Sequence, residues 1–251
     1  MAYLINTFKR YKYEPLVRLD LPTGRKYVTP EGTPLPSVTT VLDRTKDKSH
    51  LEAWAKSVGP EEADRIKNEA ALVGTHMHGC LERFIKHRPI EVPTSWLAVR
   101  GYRMAMTLAE KYFPNLNEVW GCEVSVYYPG KYAGSTDLAA VYRGKPSIVD
   151  FKQTNKMKQR GWIEDYFHQL AAYALAHDMI HGSNIEQGVI LMAAQDGQVQ
   201  EFVSVGREWE QYKQAWLARF ELFASLPEPV VNGAWSIQND SRLLVDRRRD
   251  I

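Results

Sequence analysis

A chain of 251 residues with 44% apolar and 25% charged side chains can bury a sizeable core, as one large domain or two small ones. Its net charge of +2 excludes a global electrostatic pull on nucleic acid, so any basic footprint must be local. Two cysteines, Cys80 and Cys122, outside any CxxC spacing, exclude a cysteine-built zinc or iron–sulfur site and a disulfide framework. No apolar run reaches the length of a membrane span, and the N-terminus reads as neither signal nor transit peptide. A soluble intracellular protein is expected.

Residues 1–35 interleave aromatics and cations, notably Tyr3, Phe8, Lys9, Arg10, Tyr11, Lys12 and Tyr13. That mixture suits either stacking on bases or an extended arm or edge hairpin packed on the domain. Pro30, Pro34 and Pro36 exclude regular helix. The β-branched run 37–42 is equally compatible with a helix start and a strand. Ser49 and Glu52 have capping-box spacing and open a short helix over 49–57. Gly59-Pro60 ends it and starts a long amphipathic helix from 60 to about 87. Gly74, His78 and Glu82 recur every four residues and share a face of that helix. Glycine there lets a partner approach closely. The histidine could hold a metal or a phosphate, or be satisfied within the protein.

Residues 96–112 form a second helix, and 115–128 a strand in which Glu123 stands among small residues on its face. Glu123 is either a metal-site carboxylate or an exposed surface glutamate. Two further strands carry Gly134-Ser135-Thr136-Asp137 and Asp150-Phe151-Lys152, with a hairpin break at Arg143-Gly144. Asp150 and Lys152 share a face, and antiparallel pairing could bring Asp137 beside Asp150, in a register that the sequence leaves open. Two carboxylates and a lysine make poor core material unless paired or bound to a metal. The following loop carries Lys156, Lys158 and Arg160, suited to phosphate contact or simply to solvent. A helix over 162–181 places Gln169 and Tyr173 on one face. A hairpin around Asp196-Gly197 and a last helix over 207–225 follow, and Arg247, Arg248 and Arg249 make a basic tail.

Taken in order, Gly74-x-x-x-His78, Gly134-x-x-Asp137, Asp150-x-Lys152 and Gln169-x-x-x-Tyr173 resemble the PD-(D/E)xK nuclease superfamily, in its RecB-like branch. The run 36–42, Trp54 and the stretch 69–75 are further similar to the mitochondrial genome maintenance exonucleases and their phage relatives. The motif core covers roughly 70–180. The superfamily's proline is absent, and the second acid is Asp150 rather than glutamate.

The resemblance implies a restriction-endonuclease-like α/β fold with a mixed central sheet flanked by helices. It also implies a single nuclease domain with a family-like core over 36–205, an N-terminal arm over 1–35 and a C-terminal tail over 227–251. One or two Mg2+ or Mn2+ ions are expected, without an iron–sulfur cluster. Asp137 and Asp150 are the implied metal ligands, with the Phe151 carbonyl as a third. His78 is a ligand to a second ion, and Glu123 an additional candidate. Lys152 would orient the attacking water and stabilise the transition state. Gln169 and Tyr173 would position a phosphate or brace Lys152. Lys156, Lys158, Arg160 and Ser37 are candidate DNA contacts.

The implied activity is DNA exonuclease, preferring single-stranded ends or flaps, with a monomer expected over a ring oligomer. The lack of a recognisable transit peptide favours the cytoplasm of a bacterium or phage-infected host over a mitochondrion. The alternatives are a processive double-strand 5′–3′ exonuclease of the phage recombination type, a non-catalytic nucleic-acid-binding module on the same fold, and a purely structural α/β protein.

Overall fold

The computed structural model describes residues 10–229. Tyr3, Phe8, Lys9 and the arginines at 247–249 lie outside the described residues. Its main sheet has five strands in the order β4-β5-β6-β7-β8: Leu116–Tyr128, Tyr132–Tyr142, Lys145–Thr154, Gln187–Ala194 and Val199–Val205. The first three form an antiparallel meander. Strand β7 then pairs parallel with β6, and β8 returns antiparallel. A parallel neighbour needs a crossover, and helix α5 (Glu164–His181) supplies it. Every residue of β7 is buried, as expected for a strand covered on both faces. This is the expected mixed sheet flanked by helices.

Side-chain alternation divides the core in two. Leu138, Val149, Phe151 and Leu191 face α3 (Pro60–Ile85) and α4 (Trp96–Tyr112). Ala139, Ile148, Ile190 and Met192 face α1 (Val38–Thr45), α5 and α6 (Gly206–Ser225). Helix α4 lies close against α3 at Gly101. A Cβ there would sit 2.6 Å from the Val73 carbonyl oxygen and 2.8 Å from the His76 Cβ. That contact fixes α3, the helix that carries His78.

Several local expectations are resolved. The run 37–42 is helical from Val38, with Ser37 as N-cap. Helix α2 (Ser49–Val58) forms where expected, but without the capping box. Its N-cap is Lys48, and the Ser49 N–H is taken by the Asp47 carboxylate at 2.8 Å. The N-terminal region makes a small antiparallel sheet of β1 (Val17–Leu21), β2 (Gly24–Val28) and β3 (Pro34–Pro36). Arg143-Gly144 turns with both residues at positive φ, 48° and 77°, the two-residue turn whose twist suits a hairpin. Among the described residues, no helix is long and apolar enough to cross a membrane.

Candidate metal centre

The site forms where the central strands part. The β5–β6 ladder runs through Leu138↔Val149, and that register sets Asp137 across from Asp150. There the Phe151 N–H leaves the ladder and donates to the Asp137 carboxylate at 2.8 Å. On the other side, Cys122↔Leu138 and Val124↔Thr136 set Glu123 across from Asp137. Glu123 has φ +54°, a conformation that side chains other than glycine rarely adopt. Such strain costs on the order of 1–3 kcal/mol and persists where surrounding structure imposes it. Helix α3 brings in His78, whose Nδ1 lies 3.5 Å from Asp137 Oδ2 and 3.8 Å from Glu123 Oε1. Donor atoms of His78, Glu123 and Asp137 all fall within 4.8 Å of one another.

Behind them Asp150 is 3% exposed. Its Oδ2 lies 2.5 Å from Lys152 Nζ, yet no aligned hydrogen bond reaches that oxygen. A buried carboxylate oxygen left this way has room in its bonding for another electrophile. Lys152 also donates to Gln169 Oε1 at 3.3 Å and lies 4.9 Å from the centre of the Tyr166 ring. Gln169 in turn donates to the Tyr173 hydroxyl at 3.1 Å. The Gln–Tyr pair therefore braces the lysine, with Tyr173 itself buried. Gly134 explains its place in the motif: a Cβ there would meet Tyr173 Cε1 at 2.6 Å. Gly74 is under no such pressure, since its nearest neighbour, Gln153 Cγ, would be an ordinary 3.7 Å away. The close approach expected at Gly74 is thus not made within this chain.

The charges are mutually held. Burial opposes the His78 imidazolium, but Asp137 and Glu123 outweigh it and raise its pKa to about 10. Burial pushes the Asp150 carboxyl up to about 6, against the pull of Lys152 and with the repulsion of Asp137. Burial likewise works against the Asp137 carboxylate, yet His78 and Lys152 hold its pKa below the ordinary range. Lys152 is raised, because Asp150 and Asp137 overcome its burial. Three carboxylates, those of Glu123, Asp137 and Asp150, thus face one imidazolium and one ammonium. A divalent cation in place of the imidazolium proton would complete the balance of charge. One imidazole nitrogen and several carboxylate oxygens suit Mg2+ or Mn2+, with imidazole favouring Mn2+. His78 and Glu123 keep about a third of their side-chain surface in solvent, which leaves an entry path.

The outlying candidates divide. Lys156 and Lys158 have no carboxylate within ion-pair distance among the described residues, and the Lys158 backbone is held at both its N–H and C=O by Gln200. Arg160 is committed: its guanidinium grips the Glu208 carboxylate through Nε and Nη2 and lies 4.5 Å from the Phe167 ring centre. Ser37 departs from the expected DNA contact. It is 1% exposed, and its hydroxyl accepts from the Thr40 N–H and bonds the Thr39 and Thr40 hydroxyls. Tyr11 and Tyr13 turn inward, Tyr11 onto Trp120 and Tyr13 onto the His177 imidazole at 2.9 Å. The packed-arm reading therefore holds for residues 10–13. Tyr166 was missed, although it lies three residues before Gln169, one helical turn away on the same face.

No protein-family model matches the chain. It is 26% identical over 223 residues to mitochondrial genome maintenance exonuclease 1 of Homo sapiens, covering 83% of this chain and 61% of that protein. The Mus musculus protein of the same name is 25% identical over 235 residues, covering 82% of this chain and 68% of that protein. The Xenopus tropicalis protein is 28% identical over 179 residues, covering 65% and 49% respectively. The chain thus spans about three-fifths of the human relative.

Proposed function

We propose that this chain, whose sequence resembles the mitochondrial genome maintenance exonucleases, is a metal-dependent DNA exonuclease acting on single-stranded ends or flaps. The observation that carries the reading is the convergence of His78, Glu123 and Asp137 within 4.8 Å, beside the buried Asp150 and its partner Lys152.

His78, Asp137 and Asp150 would hold Mg2+ or Mn2+, with Glu123 and the Phe151 carbonyl completing the set. The ion would neutralise phosphate charge and lower the pKa of a bound water. Lys152, fixed by Asp150 and Gln169, offers its ammonium to the charge that develops on the phosphate oxygens. Tyr173 holds Gln169 and so keeps the ammonium in place. Lys156 and Lys158 are candidates for the neighbouring phosphates.

The test is incubation with Mn2+ or Mg2+ and four labelled substrates: linear single strand, linear duplex, circular single strand and flap. Loss of linear strands and flaps with circles spared is expected. Preferential digestion of linear duplex would favour the double-strand exonuclease, and cutting of circles an endonuclease. Cleavage of none, with binding retained, would leave a binding module.

A further inference from the structure

We propose that Arg100 and Arg103 form the phosphate-binding wall of a groove that carries a single nucleic-acid strand alongside the catalytic cluster. The identity of that cluster rests on the nuclease reading above; the groove itself rests on separate observations. Two cavities of about 170 and 240 Å³ adjoin one another, sharing Arg100 and Gln195. The first is lined by Gln153 and Asn155, one and three residues after Lys152 on the chain. Gln153 lies against α3, its amide donating to the Ala70 carbonyl oxygen at 3.3 Å, and its Cγ 3.7 Å from where a Gly74 Cβ would stand. Val73, the lining residue of α3 nearest His78 in the chain, stands five residues before it, about one and a half helical turns away.

Arg100 and Arg103 project from α4 three residues apart, on neighbouring positions of one face. Among the described residues, neither guanidinium has a carboxylate within 4.0 Å, whereas Arg65, Arg160 and Arg219 all do. The two acids that line the groove are already engaged. Glu69 is bound by Arg65 at 2.5 Å, and Asp196 accepts from the Gln198 backbone and amide at 3.1 Å each. The Arg100 guanidinium lies 5.1 Å from the ring centre of Trp96, which is 58% exposed. The Gln195 amide donates to the Asn155 amide oxygen, so the two arginines, which lack a carboxylate partner, are the groups in the groove suited to phosphate oxygens, which arginine binds through paired N–H groups.

The test is equilibrium binding of fluorescein-labelled (dT)20 in EDTA, from 50 to 200 mM salt, to the wild type, Arg100→Ala/Arg103→Ala and Arg100→Lys/Arg103→Lys. Each single-strand phosphate contact contributes about 0.7 to the salt slope, so loss of two lowers it by about 1.4. The alanine variant is expected to show that drop and weaker binding with an unchanged thermal midpoint, and the lysine variant to retain most of the slope. A wild type that does not bind (dT)20, or an alanine variant with wild-type affinity and slope, overturns the proposal. Cleavage by the wild type in Mn2+, measured in parallel, separates the two readings. Slope loss without cleavage leaves the groove and removes the nuclease; cleavage with an unchanged slope does the reverse.

Discussion

Replacing Gly134 by alanine should damage both stability and catalysis, although the glycine touches neither metal nor substrate. The new methyl group would stand 2.6 Å from Tyr173 Cε1, 3.3 Å from its hydroxyl and 3.4 Å from Cζ. Carbon atoms settle at roughly 3.5–4.0 Å, so the ring must retreat by about 1 Å. Tyr173 is 3% exposed and packed in the α5 layer, which leaves it little space for retreat. Overpacking of this kind costs about 1–3 kcal/mol. In a protein of this length that lowers Tm by roughly 2–12 °C. The same movement stretches the 3.1 Å Gln169–Tyr173 hydrogen bond and loosens the 3.3 Å contact of Gln169 with Lys152. A misplacement of about 1 Å can cost on the order of 100-fold in rate. Urea denaturation and kcat/KM on a linear single strand would measure the two losses. Combining Gly134→Ala with Tyr173→Leu should destabilise by less than the sum of the single changes, since both act on one contact. A Gly134→Ala protein with wild-type stability and kcat/KM would refute the reasoning.

Three further outcomes are expected. In the metal-free protein His78 stays protonated up to a pKa of about 10, so a cation must displace its proton. Mn2+ titrated at pH 8 in buffers of different ionisation enthalpy should release about one proton. Affinity should rise with pH, and His78→Ala should abolish the release; an unchanged release in that variant would remove His78 from the site. The Asp150 pKa is raised from 3.8 to about 6, so the folded state binds this proton more tightly than the unfolded chain. Its contribution to stability is therefore lost as pH rises from about 4 to about 6. Urea curves in EDTA should show Asp150→Asn flattening that slope, and an unchanged slope would contradict the assignment. Finally, Glu123→Gly should be more stable than Glu123→Ala by about 1 kcal/mol, because only glycine relaxes at φ +54°. Both should weaken Mn2+ binding equally, and equal stability of the two would remove the strain.

The legible parts of this molecule are those set by neighbouring residues. Pro60 marks the start of α3, periodicity delimits α4, and Asp196-Gly197 turns β7 into β8. Asp150 and Lys152 share a face because strands alternate, and Gln169 and Tyr173 because helices repeat. What was hidden depends on partners distant in the chain. Only the pairing Leu138↔Val149 sets Asp137 across from Asp150, only the β4–β5 register turns Glu123 from a lone glutamate into a neighbour of Asp137, and only the packing of α3 brings His78 to both. Arg160 reads as a free cation until α6 delivers Glu208, 48 residues later. Ser37 reads as an open hydroxyl until α1 begins behind it and takes that hydroxyl as its cap. The capping box at Ser49 failed for a local reason: Asp47 takes the Ser49 N–H, and the helix starts one residue earlier than the box requires.

In the proposed reaction the carboxylates between β5 and β6 drive metal-dependent phosphodiester hydrolysis. The most direct measurement compares the wild type with Asp150→Asn on an end-labelled linear single strand, in EDTA and after restoring excess Mn2+. The wild type should degrade the strand only with Mn2+. Asp150→Asn should remain folded and bind the strand in EDTA, yet leave it intact under both conditions. Degradation by the wild type in EDTA, or by Asp150→Asn at the wild-type rate in Mn2+, would contradict the account.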